Sequence, residues 1–140
     1  MDDETESFEQ EDTVEVAIKR ILLVDDDKYL LDFFKRILSS QGFITVTANQ
    51  GNEARDILED DSKGFDMIIL DLLMPVESGW KLIEFLHQHE SYGTIPTIAM
   101  TGLSLSFEEY ERIRKQCSAV ILKGDFEIER FTATVYELLS

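Results

Sequence analysis

Two hydrophobic rhythms alternate along the chain. Short apolar runs, each stopped by a polar or turn residue, are separated by longer stretches in which apolar residues recur every three or four positions. The run Met67 to Leu70 stops abruptly at Asp71, and a loop containing Pro75 and Gly79 follows before helical spacing resumes near Trp80. A run this short and β-rich, with turn signals on both sides, predicts a strand buried on both faces. Three more stretches have the same character, ILLV before Asp25, Asp26 and Asp27, PTIAM before Thr101 and AVIL before Lys123, and FITVTA at 43–48 alternates enough to be a further strand. The intervening segments carry the helical rhythm. In the first, Leu30, Leu31, Phe34, Ile37 and Leu38 share a face and Gly42 supplies the stop. A second, from about Asn52 to Asp60, turns Ala54, Ile57 and Leu58 inward, and a third places Trp80, Ile83 and Leu86 on one stripe widened by Leu82 and Phe85. A fourth begins at Ser106, with Glu109 spaced as its capping-box partner. The last carries Phe126, Ile128, Phe131, Val135 and Leu138.

Strand and helix thus alternate five times, the pattern of an α/β protein with a doubly wound parallel sheet covered by helices on both faces. In such sheets ligands bind at the rim formed by the carboxyl ends of the strands. Four of the five strands end there in polar or charged residues: Asp25 with Asp26, Asp71, Thr101 and Lys123. Asp71 alone would weigh evenly between loop capping and chemistry, because Asp is a common turn residue. The full set of three carboxylates, one hydroxyl and one ammonium shifts the weight to chemistry.

The length of 140 residues suits one domain with a single core. No apolar run approaches the roughly 18 residues of a membrane span, and MDDETESFEQ has neither the basic nor the apolar region of a signal peptide, which points to the cytoplasm and away from membranes. The single Cys117 excludes an internal disulfide and reads as a packing residue. A formal net charge of -16 argues against direct nucleic-acid binding. Much of that charge is local: eight acids and no base lie between Asp2 and Glu15. The expected organisation is an acidic, solvated tail over 1–18 and a domain over 19–140, with a docked regulatory arm as the lesser alternative.

Carboxylates brought together from neighbouring strands repel one another and stay ionised together only with a cation between them. An all-oxygen site suits Mg²⁺, which keeps several waters and commonly bridges to phosphate. A carboxylate can also attack phosphorus to form an aspartyl-phosphate, with metal, ammonium and hydroxyl stabilising the transferring group. With ILLVDD, MIILDLLMPVESG, IAMTG and VILKG in this order, the chain resembles the receiver domain of two-component response regulators over about residues 19–139. The resemblance implies a flavodoxin-like fold with strand order 2-1-3-4-5 and a stand-alone, chemotaxis-receiver-like switch. It implies that Asp71 accepts a phosphoryl group from a histidine kinase or phosphotransfer protein, and that Asp25, Asp26, Asp71 and the backbone carbonyl of Leu73 hold Mg²⁺. Thr101 and Lys123 would contact the phosphoryl oxygens, and the output would be a contact with a further protein that the sequence does not identify. A homodimer stays open.

Some positions depart from the family's pattern. Gly124 replaces the Pro that usually follows the Lys after a cis bond; a cis bond before a non-proline residue costs about 2.5–4 kcal/mol, so a trans bond is expected. Val120 stands where an aromatic often swings inward, which weakens or reroutes the usual coupling to helix 4, strand 5 and helix 5. Gln116 replaces a frequent Gly, at a cost of roughly 1 kcal/mol if a left-handed conformation is needed. Asp27 reads as a helix cap, and His87 and His89 as solvent-facing side chains rather than joint metal ligands. Leu73 and Leu103, flanking the path of the hydrolytic water, imply a long-lived phosphoryl state. Two other readings compete: a receiver-like interaction module that works without phosphorylation, and a Mg²⁺-dependent phosphatase. The latter lacks its second acid, because Leu73 occupies the position two after Asp71, and no glycine-rich nucleotide-binding motif is present.

Overall fold

The computed structural model describes residues 17–60, 62–74, 79–102 and 104–140. Five parallel strands, β1 (Arg20–Val24), β2 (Ile44–Ala48), β3 (Met67–Asp71), β4 (Thr97–Thr101) and β5 (Ala119–Leu122), form one sheet in the order β2-β1-β3-β4-β5. The long helices are α1 (Lys28–Ser40), α2 (Gly51–Asp60), α3 (Gly79–Gln88), α4 (Phe107–Gln116) and α5 (Ile128–Leu139). Among the described residues no helix is long and apolar enough to cross a membrane.

The period of two along the strands divides the core into two layers. Leu22, Val24, Ile68, Leu70 and Ala99 face α2, α3 and α4, meeting Ala54, Leu58, Leu82, Ile83, Leu86 and Ile113. Their strand neighbours Ile21, Leu23, Met67, Ile69, Ile98 and Met100 face Leu31, Phe34 and Leu38 of α1 and Phe131 and Val135 of α5. Every residue of β3 is buried, as its unbroken apolar run requires of a central parallel strand. β1 pairs with both β2 and β3, and β3 with β4, so Asp25 and Asp71 emerge from adjacent strands.

Local signals set the helix ends. Asp27 caps α1 by accepting from the N–H groups of Tyr29 and Leu30, and Gly42, at φ +92°, turns the chain after it. Ser106 and Glu109 form the capping box expected at the start of α4. Among the described residues no peptide bond is cis and no residue other than glycine has positive φ. Lys123–Gly124 is therefore trans, and Gln116 carries no left-handed penalty, because α4 ends into an extended Cys117. The last helix is shorter than its apolar pattern suggests. Phe126 precedes it, its N–H bonded to the Lys123 carbonyl, and Ile128 at its first position is half exposed. A one-turn helix at Glu90–Gly93 and a 3-10 turn at Lys123–Asp125, both too short to carry a periodic pattern, complete the fold.

Candidate functional site

Three strand tips converge at the rim between β1, β3 and β5. Asp25 follows directly on β1, its backbone N–H bonded to the Ala48 carbonyl, and the residue is 2% exposed. Asp71 is the last residue of β3 and is also buried. One carboxylate oxygen of Asp71 accepts from the backbone N–H of Leu73, and one of Asp25 accepts from that of Asp27. From β5, Lys123 reaches across the rim to place its Nζ 2.9 Å from Asp25 Oδ2 and 3.2 Å from Asp71 Oδ2. The trans bond to Gly124 therefore leaves the ammonium well placed against both acids. Thr101 ends β4 as a buried hydroxyl, with Leu122 as its register partner on β5.

Asp26 differs in being exposed, yet Asp25, Asp26 and Asp71 can each offer an oxygen within 4.8 Å of the others. This hard, all-oxygen donor set, open to solvent on the Asp26 side, fits Mg²⁺. The repulsion among these acids is relieved here by the ammonium of Lys123 itself, so the protein supplies part of the positive charge the acids demand.

One ammonium shared by two buried carboxylates produces an uneven balance. Burial, and then the charge of Asp25, raise the Asp71 carboxyl above the usual carboxylate range, opposed by the charge of Lys123 and by the Leu73 N–H. For Lys123, burial acts to lower the ammonium, but the hydrogen bond and charge of Asp25, followed by the charge of Asp71, outweigh it and raise the group. Lys123 thus stays charged, while burial and Asp25 together disfavour the ionised form of Asp71.

The site residues read from the sequence fall together on one rim, and the two histidines fall elsewhere: His87 Nε2 lies 3.1 Å from the Gln116 carbonyl and His89 Nδ1 2.8 Å from that of Phe85. Cys117 is buried, and burial pushes its thiol up to about 11. Leu73 is half exposed beside the site, whereas Leu103 lies outside the described residues. One contributor went unrecognised in the sequence. Gly79 opens α3 with its N–H on the Leu72 carbonyl at 3.0 Å, and a Cβ there would collide with the Asp71 carbonyl and lie 2.7 Å from Leu72 Cα. Its place at a loop-to-helix junction was the available signal, but a glycine there also reads as an ordinary turn residue.

Comparison with known proteins agrees with this geometry. The model of the response regulator receiver domain matches residues 21–136. The polar-differentiation response regulator DivK of Brucella ovis is 30% identical over 122 residues, covering 86% of this chain and 96% of its own. A CheY-like receiver domain protein from Methanospirillum hungatei superposes with a TM-score of 0.77 at 27% identity, covering 88% of this chain and 94% of its own. The signal receiver domain of a histidine kinase from Syntrophus aciditrophicus gives 0.77 at 30% identity, with 86% and 89% covered. A five-stranded parallel sheet in the order 2-1-3-4-5, an acidic rim with one lysine and these similarities together make the chain a member of the response regulator receiver domain family, a family of two-component signal transduction.

Proposed function

We propose that the protein is a phosphorylation-controlled switch in which Asp71 accepts a phosphoryl group from a phosphohistidine on a histidine kinase or phosphotransfer protein and the product signals by binding another protein. The reading rests chiefly on the Lys123 ammonium lying between Asp25 and Asp71 at 2.9 and 3.2 Å. A carboxylate oxygen of Asp71 attacks phosphorus, the P–N bond breaks, and the imidazole leaves with the electron pair. Lys123 is already within reach of the reacting carboxylate, and its charge offsets that of the incoming phosphoryl oxygens. Thr101, buried at the tip of the next strand, supplies a hydroxyl on the same rim. Asp25, Asp26, Asp71 and the Leu73 backbone carbonyl would hold Mg²⁺, which when bound adds positive charge against the phosphoryl oxygens.

The chemistry uses the chain's own nucleophile once per signal, so the protein acts as substrate and switch rather than as a turnover enzyme. Net charge and the absence of a spanning helix among the described residues favour a cytoplasmic protein partner over nucleic acid or membrane. The acidic residues 1–18 fall outside the domain in this reading.

Labelling by acetyl phosphate tests it. Incorporation of one phosphoryl group that is lost in Asp71→Asn and in EDTA is the expected result. Undiminished labelling of the variant would move the nucleophile to another acid, with Asp26 the first candidate.

A further inference from the structure

The end of β3 is read by a second structure that the phosphoryl chemistry does not use. Leu72 donates its N–H to the Met100 carbonyl, one residue before Thr101, and accepts from the Gly79 N–H, each at 3.0 Å. Gly79 lies so close on the backbone of Asp71 and Leu72 that even a methyl group could not be inserted. A displacement of that backbone therefore has no slack to disappear into and is passed to the first turn of α3, where the next residue is Trp80. The Trp80 ring, partly buried on the core layer of α3, lies under the Arg112 guanidinium of α4, 4.4 Å from the ring centroid. A guanidinium over an indole face is a directional contact that weakens when the two slide apart.

α4 is suited to being moved. It places a single buried residue, Ile113, in the core, and its first residue, Phe107, is largely exposed. It meets α3 near both ends: Trp80 with Arg112 toward the rim, and His87 Nε2 with the Gln116 carbonyl at 3.1 Å at the far end. On β5, Val120 offers no ring that could sense the rim. We propose that Trp80 and Arg112 are the positioning pair through which occupancy of the Asp71 site is transmitted to helix α4. This inference rests on the function proposed above. It requires an element with two arrangements that the site can bias, and an under-anchored α4 whose rim-side contact with α3 is the adjustable Trp80–Arg112 pair supplies it.

The test uses the full chain with Mg²⁺ and beryllofluoride as the probe, and measures acetyl phosphate labelling on the same samples. Trp80 is the sole tryptophan, so its emission should change on titration. Hydrogen exchange of the amides of α4 should change by about fivefold or more, the low end of typical couplings between sites. In Arg112→Gln, altered at an exposed position, and in Trp80→Leu, that response should fall within about twofold of no change, while Trp80→Phe, which keeps a ring face, should retain it. Labelling of Asp71 should persist in all three. A wild-type response of α4 in Arg112→Gln or Trp80→Leu, or a silent Trp80 in a protein that does label, overturns the coupling and leaves the proposed function standing. Failure of the wild-type chain to label overturns both.

Discussion

Lys123 is the residue on which the electrostatics of the rim turn. Its ammonium touches both buried carboxylates, so it sits in the combined negative field of the two, the same field that would attract a divalent cation. Lys123→Ala should therefore tighten Mg²⁺ binding severalfold while weakening phosphoryl acceptance, measured by Mg²⁺ titration of Trp80 emission and by labelling; a weaker Mg²⁺ affinity in the variant would show that Lys123 organises the acids rather than competing for them. Leu73 makes a second residue-level prediction. Its half-exposed, apolar side chain beside Asp71 cannot orient a water for attack on phosphorus. Orienting a nucleophile contributes one to several powers of ten in rate, each worth about 1.4 kcal/mol, so Leu73→Asn should accelerate loss of the phosphoryl group about tenfold or more. Unchanged decay in that variant, or wild-type decay within seconds, would remove Leu73 as the cause of a long-lived state.

At the scale of elements, the two-layer core predicts where stability is concentrated. Phe131 of α5 is 1% exposed and lies 5.5 Å from the Phe34 ring and 5.3 Å from the Phe126 ring. Phe131→Ala removes the most deeply buried ring of that cluster and should cost about 3–5 kcal/mol, read as a lower denaturation midpoint in urea at unchanged slope. The same layer explains what the sequence made legible. β3 and β1 are buried on both faces, so nothing in their runs competes with the strand reading, and the caps at Asp27 and Ser106 act through bonds to residues only two or three positions away. Asp25, Asp71, Thr101 and Lys123 were legible for a related reason, since each is the first polar residue after an apolar run, with Asp26 following Asp25. Illegible features depend on distant partners. Ile128 keeps the apolar rhythm of α5 but sits at its exposed first position, because the 3-10 turn at Lys123–Asp125 takes up the chain before it. Gly79 and the Trp80–Arg112 contact are set by the close approach of α3 to β3 and of α4 to α3, for which a single chain carries no periodic signal.

At the scale of the whole molecule, net charge and site charge oppose folding together, and a cation can relieve both. With 29 acids against 13 bases, the folded chain repels itself, and any salt should stabilise it by screening. The rim adds a specific term. Because burial and then Asp25 raise the Asp71 carboxyl, its ionisation is less favourable in the folded than in the unfolded chain. The folded state binds more protons in that window, so this group's contribution to stability falls as pH climbs from the ordinary carboxylate range through the raised value, and the full penalty is in place only above it. A ligand that binds only the folded state stabilises it by about 2.7 kcal/mol at a hundred times its dissociation constant. At neutral pH, Mg²⁺ should therefore raise the melting temperature by roughly 5–15 °C more than NaCl of equal ionic strength, given the usual few degrees per kcal/mol for a domain of this size. The excess isolates the rim, because screening of the general surface charge depends chiefly on ionic strength. It should disappear in Asp25→Asn, which removes one of the three acids but leaves the general surface charge almost unaltered. An equal response to the two salts in the wild-type chain, or an excess that survives in Asp25→Asn, would mean that the acids at the rim do not form a Mg²⁺ site.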